Sequence, residues 1–125
     1  MDVVVMLVAA GFAGMGALGL VRPAAVVAPL GARVDTSEAR TEVRAVYGGF
    51  GLAVAVVLVS AGFADPGSLR DGALVTVAIA LGGMAVGRLV GALLERPGRL
   101  HPTVTCFAVE AAAAALLLMA YAHGR

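Results

Sequence analysis

The stretch 72-GALVTVAIALGGMAVGRLVGALL-94 decides the fold class of this chain. It contains a single charge, Arg88, and a helix of about 20 apolar residues is long enough to cross the hydrocarbon core of a bilayer. Three other segments share its length and character, which gives predicted spans at 3–21, 43–64, 72–94 and 103–122. The sequence therefore predicts an all-α integral membrane protein, an antiparallel four-helix bundle that forms one domain over residues 1–125.

The composition excludes several classes of protein. Of 125 residues, 61% are hydrophobic and only 14% are charged, which is too apolar for a soluble domain of this size. A net charge of +1 leaves no basic surface to neutralise phosphates, so we expect no nucleic-acid partner. The only cysteine, Cys106, excludes an intrachain disulfide. Neither His101 nor His123 has a second ligand at metal-binding spacing, so we expect no metal and no cofactor.

Turn-forming residues divide the spans. Proline disfavours helix in the residue before it, and proline-containing turns are predicted at Arg22-Pro23, Asp65-Pro66-Gly67-Ser68, Arg96-Pro97-Gly98 and His101-Pro102. The first loop is predicted to hold a short helix at the membrane interface. Asp35 followed by Glu38 resembles a capping box, so we expect the second long helix to begin near Thr36, before the bilayer.

The distribution of arginines predicts the orientation. Five lie in the first and third loops, whereas Arg70 and Arg125 are on the other side. Positively charged loops stay in the cytoplasm. We therefore expect both chain termini outside and the first and third loops inside.

Polar residues of three helices lie at similar depth from the cytoplasmic edge. With a helical rise of 1.5 Å per residue, Arg88 lies roughly 10 Å inside, Glu110 roughly 12 Å and Tyr47 roughly 8 Å. An unpaired charge in hydrocarbon is costly, so Arg88 and Glu110 are predicted to form an ion pair. This pair either fixes the register of two helices or forms part of a functional site.

The other polar residues of the second span also have two interpretations. Arg44 either lines the polar site or extends toward the headgroups. Tyr47 is an interfacial aromatic or a hydrogen-bonding residue inside the bundle. Glu42 lies at the membrane edge, where a solvated charge is the simplest interpretation.

Glycines at helical spacing predict close helix contacts. Gly83, Gly87 and Gly91 are predicted to let the third and fourth helices approach each other. A second small surface, formed on the first helix by Gly11, Gly14, Gly16 and Gly19, is predicted to mediate homo-oligomer contacts.

The segment 40-RTEVRAVYGG-49, together with Gly87-Arg88 and Glu110, resembles a branch of the DoxX-like superfamily. That branch consists of small four-helix bacterial membrane proteins with a domain of unknown function. The resemblance implies a bacterial inner (cytoplasmic) membrane protein. It also implies a polar signature at Glu42, Arg44, Tyr47, Arg88 and Glu110. Named relatives include subunits tied to thiosulfate:quinone oxidation or to methylamine-dehydrogenase maturation, a cargo receptor and a receptor-assembly chaperone. The resemblance therefore predicts the fold rather than a function.

Three functions fit these observations. The first is a binding or accessory module for a lipid-like or quinone-like molecule, or for a partner membrane protein. The second is a redox or other enzyme subunit acting on a lipophilic substrate, with Glu110 and Tyr47 as its acid and base candidates. The third is a small proton-coupled transporter that uses Glu110. We favour the first because the sequence shows no nucleophile–base pair, so no residue is assigned a catalytic role. Expected partners are membrane lipids, a lipophilic small molecule, a membrane protein or a second copy of the chain.

Overall fold

A computed structural model describes residues 1–96, 98–99 and 101–125, and the regular structure of this part of the chain is entirely helical. Four long helices are apolar enough to cross a membrane. They are α1 (Val3–Val21), a continuous second helix, α5 (Ser68–Glu95) and α6 (Thr103–His123). The second helix consists of α3 (Ser37–Val43), a π-helix (Arg44–Gly49) and α4 (Phe50–Phe63). The predicted all-α membrane bundle is confirmed.

The first loop contains the short helix predicted there. This helix, α2 (Pro23–Val27), continues into a 3₁₀ turn (Ala28–Leu30) that ends at Gly31, whose φ is +71°. A residue without a side chain adopts this left-handed conformation at little cost. The predicted turn at 96–98 includes Pro97, which lies outside the described residues.

The second long helix begins where the sequence predicted, but its cap is a different residue. The Thr36 hydroxyl accepts a hydrogen bond from the Ala39 amide at 3.1 Å, which makes Thr36 the N-cap residue. Asp35 forms an ion pair with Arg33 instead, at 3.1 Å. The start near Thr36 is thus confirmed, whereas the capping box of Asp35 and Glu38 is wrong. An N-cap oxygen reaches the amide three residues later, and Thr36 is the residue at that distance from Ala39.

The helices form a ring in chain order. Helix α1 packs against the π-helix and α4, and α5 packs against α6. Contacts of α4 with α5 and of α1 with α6 close the ring. Val5, Leu58, Leu74 and Leu117, one from each long helix, are the largest fully buried side chains. They form an apolar layer in the half of the bundle that holds the two chain termini.

Glycines bring α1 against the second helix. A Cβ atom at Gly19 would lie 2.8 Å from the Gly48 backbone nitrogen, and one at Gly16 would lie 2.8 Å from the Leu52 nitrogen. Because both neighbouring atoms belong to backbone, they cannot move aside as a flexible side chain would. Close backbone approach is the usual role of small residues between membrane helices.

The glycines of α5 have no such contact, so the predicted role of Gly83, Gly87 and Gly91 is wrong. A Cβ atom at any of the three would have no described atom of another segment within 4 Å. The predicted oligomer surface is also reduced, because Gly16 and Gly19 are buried against the second helix while Gly11 and Gly14 stay open. Small residues at helical spacing permit a close contact, but they do not specify which helix makes it.

We predict that Gly19→Ala destabilises the protein and that Gly14→Ala does not. Replacing glycine by alanine stabilises a helix by up to about 1 kcal/mol at either position. A difference in stability between the two variants therefore reports the effect on packing. Overpacking at Gly19 should lower the free energy of unfolding by about 1–3 kcal/mol. Denaturant unfolding in a mild detergent measures the difference. Equal stabilities for the two variants would contradict the glycine contact.

Candidate functional site

Arg88 of α5 and Glu110 of α6 form a two-pronged ion pair. The Arg88 Nε donates to Glu110 Oε2 at 2.7 Å, and Nη2 donates to Oε1 at 2.8 Å. This parallel geometry is the strongest form of an arginine–carboxylate contact. The predicted contact is confirmed, and it joins two helices that pack extensively against each other.

Glu110 and Arg88 differ in how many of their polar atoms have a hydrogen-bond partner. The Glu110 side chain is 9% exposed and both of its oxygens accept hydrogen bonds from Arg88. The Arg88 side chain is 26% exposed, and its Nη1 has no hydrogen-bond acceptor among the described residues. Arg88 lies seven residues before the end of α5, roughly 10 Å from that end. One edge of a guanidinium is therefore accessible at a depth where a lone charge is costly.

Tyr47 and Cys106 are two further polar residues in this half of the bundle. Both side chains are partly buried. Cys106 lies one turn before Glu110 on α6, whereas Tyr47 belongs to the π-helix. π-Helical segments occur frequently at functional sites because the wider turn redirects side chains. Of the residues proposed from sequence, the structure brings Arg88 and Glu110 into direct contact.

Arg44 and Glu42 are placed elsewhere. The Arg44 Nε donates to the Leu20 carbonyl at 3.0 Å, which satisfies one of the free carbonyls at the end of α1. Glu42 is exposed and has no ion-pair partner within the described residues. Arg44 thus attaches α1 to the second helix on the surface, outside the Arg88–Glu110 pair.

A second polar cluster lies at the opposite end of the bundle, where the sequence analysis did not expect one. Arg70 is only 6% exposed, and its Nη2 donates to Asp2 Oδ2 at 2.7 Å. Asp2 also caps α1 with its other carboxylate oxygen and donates its amide to the Gly62 carbonyl. Arg70 Nη1 faces Asp71 Oδ1 at 3.9 Å, and neither atom has a hydrogen-bond partner in the described part of the chain. This cluster joins the ends of three long helices.

The sequence contained a signal for this cluster. Asp2 immediately precedes the first span, and Arg70 lies in the first turn of the third long helix, so both lie at the same membrane face. Counting arginines for orientation treats each as a solvated charge, and Arg70 is not one.

The described residues offer no close group of three His, Cys, Asp or Glu side chains that could hold a metal ion. His101 Nδ1 contacts the Thr105 hydroxyl at 3.0 Å, and His123 Nδ1 contacts the Met119 carbonyl at 2.8 Å. Both histidines thus make contacts within their own helix or at its start. The arrangement around Arg88 is suited to hydrogen bonding and to charge recognition.

We predict that Glu110→Ala lowers the free energy of unfolding by about 3 kcal/mol, because Arg88 would be left without its partner. Adding Arg88→Met should recover more than half of this loss, since the stranded charge is removed. Thermal unfolding of both single variants and the double variant measures the coupling. The exposed Glu95→Ala is the control, and a Glu110→Ala effect no larger than the control's would contradict the prediction.

The comparisons with known proteins agree with this description at the level of the family. No curated protein and no solved structure matches the chain. The model of one family, described as a domain of unknown function (DUF4345), matches residues 1–121. That range includes all four long helices except the last residues of α6. The chain therefore belongs to the DUF4345 family.

Proposed function

We propose that this membrane protein is a binding module whose Arg88–Glu110 site holds the polar head of a lipid-like or quinone-like molecule. One observation carries the proposal: a quarter of the Arg88 side chain is accessible, and its Nη1 has no described acceptor, at bilayer depth. An unsatisfied donor in hydrocarbon is costly. A bound head group that accepts a hydrogen bond from Nη1 would remove this cost.

The surroundings of Arg88 also favour binding from one side of the membrane. The buried layer of Val5, Leu58, Leu74 and Leu117 separates this site from the opposite face. Beyond that layer, Arg70 and Asp2 hold the helix ends together. A continuous polar path across the bundle, which a proton-coupled transporter would need, has no support in this arrangement.

An enzyme or redox subunit is the other alternative, and it is less well supported. Glu110 is engaged at both oxygens by Arg88, so it is poorly placed to exchange a proton with a substrate. An accessory role toward a partner membrane protein would use the same accessible edge of Arg88.

The proposal extends the family assignment to the DoxX-like superfamily, supported by the 40–49 segment, and to a bacterial inner membrane.

We further propose that both termini face outward and that the site opens in the cytoplasmic half. Five arginines lie in the first and third loops, and Arg70 at the other end is buried in an ion pair. The solvated positive charge is therefore more asymmetric than the residue count alone suggests. This asymmetry favours a cytoplasmic location for the two loops.

Binding should be detectable by native mass spectrometry of the protein taken from native membranes in lipid nanodiscs. We expect the wild type to retain an amphiphile that the double variant Arg88→Gln/Glu110→Gln loses, since the amides keep the shape without the guanidinium. The matched control is Arg33→Gln/Asp35→Asn, which removes an exposed ion pair. A wild type that retains nothing, or a double variant that retains the same molecule, would refute the proposal.

Orientation can be tested with single cysteines in a Cys106→Ala background. We expect a membrane-impermeant maleimide to label Arg125→Cys in right-side-out spheroplasts and Arg99→Cys only after permeabilisation. Position 70 is unsuitable because Arg70 is buried. If Arg99→Cys is labelled before permeabilisation and Arg125→Cys is not, the proposed orientation is wrong.

A further inference from the structure

We infer that the Arg88 site selects an uncharged head group with a hydrogen-bond acceptor, such as a carbonyl oxygen, over an anionic one. This inference rests on the proposed function. It follows from the charge balance of the site, in which one guanidinium is already neutralised by one carboxylate.

An anion would gain little at this position. An oxyanion on Nη1 would lie a few ångströms from Glu110, whose oxygens are 2.7 and 2.8 Å from the same guanidinium. Repulsion by Glu110 would offset much of the attraction to Arg88, and both are strong where the dielectric constant is low. The anion would also lose its hydration without a second cation to compensate.

Two arginines of the second helix near this site are committed to different contacts. Arg44 donates to the Leu20 carbonyl on the exposed side of the second helix. Arg40 donates to the carbonyls of Val34 and Asp35 in the first loop. Phosphate recognition by arginine is commonly bidentate, and two of the three guanidinium nitrogens of Arg88 already donate to Glu110.

A neutral acceptor avoids these costs. A carbonyl oxygen has two lone pairs, so it can accept from Arg88 Nη1 and from a second donor. The Tyr47 hydroxyl, carried by the π-helix in the same half of the bundle, is the candidate second donor. Met84, one turn before Arg88 on α5, is 48% exposed and offers apolar surface to a hydrocarbon tail.

Three probes with the same hydrocarbon chain length separate the contributions of head and tail. Methyl oleate carries an uncharged ester carbonyl, oleyl phosphate carries an anion, and 1-octadecene carries no acceptor. Each is titrated into the protein in maltoside micelles while the side-chain NMR signal of Arg88 Nε is followed. The signal is assigned by its loss in Arg88→Gln/Glu110→Gln. We expect methyl oleate to shift it saturably and with about tenfold higher affinity than oleyl phosphate.

Glu110→Gln provides the decisive comparison, because it leaves the Arg88 charge uncompensated. In this variant the preference should reverse toward oleyl phosphate, whereas Glu95→Gln, which removes an exposed carboxylate from α5, should leave it unchanged. If oleyl phosphate binds the wild type as tightly as methyl oleate, the selectivity is refuted and the binding function stands. If no probe shifts the signal more than 1-octadecene does, both are refuted.

Discussion

Every charge inside a bilayer needs a partner, and in this bundle the contact between Arg88 and Glu110 meets that requirement. The two hydrogen bonds hold α5 and α6 in one register, because sliding either helix by a turn would separate the charges by about 5.4 Å. Hydrocarbon makes such a mismatch far more costly than water does. The same contact leaves one edge of the guanidinium accessible, so a structural ion pair and a binding site are compatible in this molecule.

The two pairs of neighbouring helices, α1 with the second helix and α5 with α6, are held together by different interactions. Helix α1 meets the second helix through glycine backbone contacts at Gly16, Gly19 and Gly48, where dispersion forces act over a short distance. Helices α5 and α6 are instead joined by a directional ion pair. The glycine contact includes the π-helix that carries Tyr47. Packing of α1 therefore influences where Tyr47 lies relative to Arg88.

The sequence predicted the features that depend on the bilayer and missed those that depend on a choice of partner. Helix lengths follow from membrane thickness, and the Arg88–Glu110 contact follows from equal depth on consecutive antiparallel helices. The spacing of the α5 glycines permits a close helix contact, which is why one was predicted. Spacing does not determine which helix makes that contact. The π-helix was also not predictable, since 44-RAVYGG-49 is equally compatible with a regular α-helix.

Burial of Arg70 could not be derived from a count of charges. Such a count treats each loop arginine as solvated, whereas Arg70 is covered by the converging helix ends and paired with Asp2.

The bundle therefore has polar residues at two levels, and the arginines at these levels differ in how accessible they are. At the terminal end the arginine is enclosed, and the fully buried apolar layer lies directly beneath it. At the other level the arginine is partly accessible. A protein built to pass a solute would need matching access at both levels. Access at the Arg88 level alone is consistent with the binding role proposed for that site.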